Sequence, residues 1–108
     1  MTLAELNTIL KTANGFEDKV VYRAWPVGHA PNLPFICYLM DSSDNFGADN
    51  KVYKTINRVR VELYTEYKDE TSESAIESVF DSNDIYWEKD ETYVDDEDCY
   101  LIIYTIEV

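Results

Sequence analysis

Glycine and proline are scarce in this chain, three of each in 108 residues, and histidine occurs once. The three glycines stand far apart, so no glycine-rich phosphate loop can be assembled from them. His29 lies in a proline loop with no Ser, Cys or carboxylate pair near it in sequence, and it is read as a solvent-facing loop residue. The two cysteines, Cys37 and Cys99, form no CxxC pair and fall in different predicted strands. They are read as buried free thiols of a reducing compartment. No apolar run approaches the ~18 residues of a membrane helix, and the amino terminus lacks the basic and apolar regions of a signal peptide. The expectation is a soluble protein with no membrane partner, not exported by a signal peptide.

Basic residues are also few. Nine Lys and Arg face 22 Asp and Glu, for a formal net charge of -13. The two halves differ sharply: residues 1–61 carry seven basic and six acidic side chains, a net of +1, whereas residues 62–108 carry two and sixteen, a net of -14. Such a field repels phosphate, which argues against direct nucleic-acid binding. The hydrophobic fraction of 45% is that of an ordinary globular chain, so the acidity does not signal disorder.

What is abundant is β-forming sequence. Residues 52–65 hold β-branched and aromatic side chains without Gly or Pro, and they read as one long strand around which the chain is organised. Val59, Val61 and Leu63 alternate with Arg58, Arg60 and Glu62, giving one apolar face. Val52 and Ile56 place their apolar character on even positions, so the phase slips near Asn57 and Arg58, as a β-bulge would produce. Fourteen extended residues span about 46 Å at ~3.3 Å each, far beyond a typical strand. The first half is therefore expected to project as a hairpin arm.

The remaining elements follow in order. Thr2 and Glu5 have capping-box spacing, and a first helix is predicted over residues 3–12, ended by Asn14 and Gly15. A strand over 20–25 leads into the stiff proline loop 26–34, and a second strand runs over 34–40. A polar connection over 41–50 forms the large tip of the hairpin. Ala75, Ile76, Val79 and Phe80 mark a second helix, starting near residues 68–73 and ending at 81–84. Strands over 85–91 and 99–108 flank an acidic turn at Asp95 to Asp98. The order αβββαββ implies a single α+β domain over residues 1–108, with a mainly antiparallel sheet and two helices on one face.

Site chemistry is sparse. Asp41, Ser43 and Asn45 resemble the start of a calcium loop, but Gly47 falls one place late and Val52 stands where a Glu is needed. Asp95 to Asp98 is read as a solvated charge run, and no cofactor, metal or catalytic residue is assigned. No carboxylate pair stands out for hydrolysis, and the chain is read as a non-enzyme. Lys51, Lys54, Arg58 and Arg60 on the long strand either guard an exposed strand edge against aggregation or form a subunit interface; the length of the arm favours the interface, set against Glu73 and Glu77 of a neighbouring copy.

Several motifs carry a resemblance. Tyr22-Arg-Ala-Trp-Pro26, Gly28, Ala30-Pro31, Leu33-Pro-Phe-Ile36, Tyr38, the run Asp44-Asn-Phe-Gly-Ala-Asp-Asn-Lys-Val-Tyr53 and Arg60-Val-Glu-Leu-Tyr64 resemble small tail-completion proteins of phages and prophages of Gram-positive bacteria. Trp87-Glu-Lys-Asp-Glu-Thr-Tyr93 and Tyr100-Leu-Ile-Ile-Tyr104 fit the same pattern. The resemblance implies a tail terminator or head-to-tail joining subunit of a long, non-contractile tail. Such subunits assemble in the host cytoplasm, typically as hexameric rings, at the head-proximal end of the tail tube. They stop tube growth, contact tube and head-connector proteins, and need no catalytic residue. Two other readings stand beside this one: an acidic DNA mimic that occupies a DNA-binding enzyme, and a neighbouring connector such as a stopper.

Overall fold

In the computed structural model the backbone is described for residues 1–108 and the side chains for all but Phe46, Ala48 and Tyr53. The elements are α1 (Leu3–Leu10), β1 (Val20–Tyr22), β2 (Phe35–Ser43), β3 (Phe46–Ala48), β4 (Lys51–Lys54), β5 (Asn57–Thr65), α2 (Glu70–Ser82), β6 (Trp87–Val94), a 3₁₀ turn (Asp95–Glu97) and β7 (Cys99–Glu107). Five strands form one sheet in the order β1-β2-β5-β7-β6, and β3 and β4 form a separate ribbon. The chain is a single α+β domain.

Alternation in β5 builds the core. Val59, Val61 and Leu63 are fully buried, and their cross-strand partners Ile106, Tyr104 and Ile102 point to the same face. Leu6 and Leu10 of α1 and Ile76, Val79 and Phe80 of α2 close over that face, so both helices lie on one side as expected. Tyr104 is the largest fully buried side chain and packs edge-on against Phe80 and Trp87, at centroid distances of 5.5 and 5.7 Å.

Local chemistry sets the element ends. Thr2 Oγ1 accepts from the Glu5 backbone N–H while Glu5 accepts from the Thr2 N–H, both at 3.1 Å, and this capping box starts α1. Gly15, with φ +89°, carries the chain away after it. β1 stops three residues short of its expected end because Arg23 turns left-handed, with φ 68°. The proline-bearing loop then acts as a crossover of about a dozen residues, which lets β1 pair in parallel with β2. Every other pairing in the sheet is antiparallel.

The long strand expected over residues 52–65 is two strands. The chain leaves the sheet at Thr55 and Ile56, where the Asp44 N–H donates to the Ile56 carbonyl and the Ile56 N–H donates to the Asn45 side chain. The phase slip near Asn57 was the trace of this break. The bulge lies across the ladder, between Met40 and Ser42 of β2. Beyond it, the expected polar tip folds as the β3–β4 ribbon, closed by Asp49 and Asn50, both left-handed as a type I′ hairpin turn requires. The ladders of β2 and β7 against β5 end at Ser43 and Glu107, so residues 44–56 lie past the end of the sheet. The long axis of the molecule is 49 Å, against 28 and 23 Å for the others.

Candidate functional site

The six residues proposed for an interface fall into three environments. Lys51 and Lys54 lie on β4, exposed, and among the described residues neither has a carboxylate at ion-pair distance. They pair with Ala48 and Phe46, two residues apart on β3, because the register shifts by one between Val52 and Lys54, so both lie on one face of the ribbon. Val52 between them is 58% exposed. The arm thus offers a short strand with two free cations and an apolar side chain.

Arg58 and Arg60 lie on the sheet face that the helices leave uncovered, opposite Val59 and Val61. Each is already engaged within the chain. Arg58 sits 3.5 Å from Glu107 and 3.7 Å from Asp44, and Arg60 donates to Glu62 at 2.8 Å. Arg58 therefore ties the root of the arm to the last strand. Further along the same face, Trp25, Phe35 and Tyr64 form an aromatic row at 6.0 and 5.2 Å. Burial and then the neighbouring Glu62 carboxylate push the Cys37 thiol up to about 11, so it stays protonated beside them.

Glu73 and Glu77 occupy the third environment, and here the interface expectation needs revision. Glu73 is 3% exposed, held between Lys68 Nζ at 2.7 Å and Lys89 Nζ at 3.0 Å. Glu77 accepts from Lys89 at 2.8 Å and from the Tyr104 hydroxyl at 2.6 Å. Burial opposes ionisation of Glu73, but the hydrogen bonds from Lys68 and Lys89 outweigh it and hold the carboxyl below its usual range. Lys89 is raised chiefly by Glu77, and Lys68 by Glu73 and then Glu91. These carboxylates pin α2 to β6 and β7; a neighbour's lysines would find them occupied. Lys68, Lys89 and Tyr104 are the functional partners that reading the sequence missed. The available signal was spacing: Glu73, Ile76 and Phe80 share one helical stripe, which places Glu73 toward the core.

The carboxylates that do face outward lie beside this network. β6 is an edge strand whose central residues are all exposed, and it carries Glu88 and Asp90 outward, while Glu91 is paired with Lys68 at 2.6 Å. At the end of the sheet opposite the arm, Glu66, Asp69, Glu70, Asp95, Asp96, Glu97 and Asp98 gather around the start of α2 and the β6–β7 turn. Asp69 is committed to capping α2, accepting from the Ser72 N–H at 3.0 Å and its hydroxyl at 2.8 Å. The sequence asymmetry thus becomes a spatial one, with an acidic end and acidic edge on the sheet and free lysines on the arm.

An open hollow of about 480 Å³ lies at the arm end of the uncovered face, lined by Arg58, Tyr86, Glu88, Thr105, Ile106 and Glu107. Among the described residues no three His, Cys, Asp or Glu side chains are placed to hold a metal ion. His29 is exposed in the proline loop. The sequence matches no protein-family model and no curated protein.

Proposed function

We propose that this chain is a structural subunit that assembles head to tail into a closed ring, in the manner of a phage tail terminator or head-to-tail joining protein. The observation that carries the reading is the arm: residues 44–56 leave the sheet as a ribbon bearing two uncommitted lysines, while the exposed carboxylates lie on β6 and the far end. The extension also carries Asp44, tied to Arg58, and Asp49 at its turn, so its cationic part is β4 alone; a cationic strand on the extension and an acidic edge on the body suit a contact between different patches of identical subunits. The motif resemblance supplies the tail context, and the acidic end would suit a passage for DNA because it repels phosphate. A tail tube protein and a head-connector protein would be the further partners.

The arrangement lends less support to a DNA mimic, since the carboxylates are split between an edge strand and a cluster of loops. Negative-stain imaging of the purified chain separates the readings. Closed rings support assembly; dispersed monomers that capture a DNA-binding enzyme in a salt-sensitive manner overturn it in favour of mimicry.

A further inference from the structure

β6 pairs with β7 through eight consecutive residue pairs without a register shift, from Trp87 opposite Ile106 to Val94 opposite Cys99. Among the described residues no strand pairs with its other edge. Alternate N–H and C=O groups along that edge therefore point to solvent. Edges of this length are ordinarily disabled by a bulge, a proline, shortness or a covering segment. β6 has no bulge and no proline, and its defence is charge alone.

The charge pattern selects what can add there. Glu88 and Asp90 project on the uncovered face; on the helix face Glu91 is held by Lys68 at 2.6 Å and Lys89 is drawn under toward Glu73 and Glu77. Two copies of β6 meeting edge to edge would oppose acid with acid, which is destabilising. A basic strand is required. β4 is such a strand: it contains two lysines and no acid, and among the described residues its edge away from β3 is bare. The pairing of β4 with β3 shifts by one residue between Val52 and Lys54, which brings Lys51 and Lys54 to one face, as Glu88 and Asp90 share one face of β6. Within one chain β4 and β6 do not pair, because the ribbon lies past the end of the sheet.

We infer that β4 of one copy adds as a strand to the free edge of β6 in the next copy, with Lys51 and Lys54 set against Glu88 and Asp90. The contact rests on the ring reading above and deepens it by naming its two surfaces. It is heterologous, so it propagates from copy to copy and closes where the rotation per copy divides a full turn. Main-chain hydrogen bonds supply affinity and the charges supply polarity and register.

The test compares four proteins by light scattering across concentration: wild type, K51E/K54E, E88K/D90K, and the combined variant carrying all four substitutions. Thermal melting of each confirms that the domain is folded. Each charge-reversed pair is expected to weaken association by about tenfold or more, since two cross-strand contacts turn repulsive. The combined variant, whose charges are complementary again, is expected to recover the wild-type mass. Wild-type oligomers that persist unchanged in both reversed variants overturn the strand pairing and leave the ring reading standing. Failure of the combined variant to recover also overturns it. A wild type that stays monomeric at every concentration overturns both.

Discussion

Replacing Glu73 by Gln removes the charge at the centre of the α2–β6 network while nearly preserving its volume. In a wholly buried pair, loss of one partner costs about 3–5 kcal/mol because the other charge is stranded without water. Here Lys68 and Lys89 side chains are 43% and 38% exposed, so both can turn to solvent when Glu73 is lost. The larger figure must be discounted accordingly. Two charge-assisted contacts weakened to neutral ones, with the lysines rehydrated, give a loss of about 1–2 kcal/mol. For a domain of this size each kcal/mol shifts Tm by roughly 4–8 °C, so E73Q should melt about 5–15 °C below wild type at pH 7. The sign of the pH dependence follows from the depressed carboxyl. Glu73 contributes fully above its ordinary value of 4.5, and the contribution is lost as pH falls below that through the lower folded value. The lysines behave oppositely: their raised values keep their contribution below the ordinary 10.5 and lose it as pH rises above. Urea denaturation of E73Q and wild type should therefore give a gap at pH 7 that narrows as pH falls below 4.5. A gap that is absent at pH 7, or that does not change with pH, refutes the reasoning.

Other consequences are independent of this network. Truncating fully buried Leu63 to Ala should cost about 2–5 kcal/mol by urea denaturation; a loss under 1 kcal/mol would mean the helices do not pack on β5 as described. A Cβ at Gly47 would stand 2.6 Å from the Lys51 carbonyl oxygen, so G47A should distort the ribbon. Because, among the described residues, the core contains none from 44–56, Tm should fall by less than about 4 °C while assembly is lost, and intact assembly would count against the arm as an interface. Cys37 and Cys99 are 5% and 2% exposed with thiols raised by burial, so neither should react with an aromatic disulfide at pH 8 until denaturant is added. Rapid labelling of the native protein would contradict their placement.

The elements legible in the sequence were those decided by local chemistry. The Thr2 and Glu5 spacing marked α1, and strict alternation from Val59 to Leu63 fixed which face of β5 is buried. The acidic turn at Asp95 to Asp98 ends in a left-handed residue that Asp tolerates. What could not be read depends on contacts between distant segments. Nothing in the composition of residues 52–65 stops a strand; the break comes from Asn45 and Asp44 taking over the hydrogen bonding of Ile56. β3 is only three residues long and includes Gly47, too short for a period-2 signal, although Asp49 and Asn50 did carry the turn chemistry. Left-handed Arg23 follows no propensity and shortens β1. At the candidate interface, sequence placed the cations and the acidic half, but a carboxylate paired inside the chain looks the same in sequence as one offered to a neighbour. Glu73 and Glu88 are told apart only by what packs against them.

The central claim is that this subunit closes on copies of itself through charge-complementary surfaces. Its most direct test is the mass of the purified wild-type protein by light scattering, across protein concentration and ionic strength. The account predicts a discrete multiple of 12.6 kDa at low salt, dissociating as salt rises past about 0.5 M. A mass of 12.6 kDa at all concentrations and salts would contradict it.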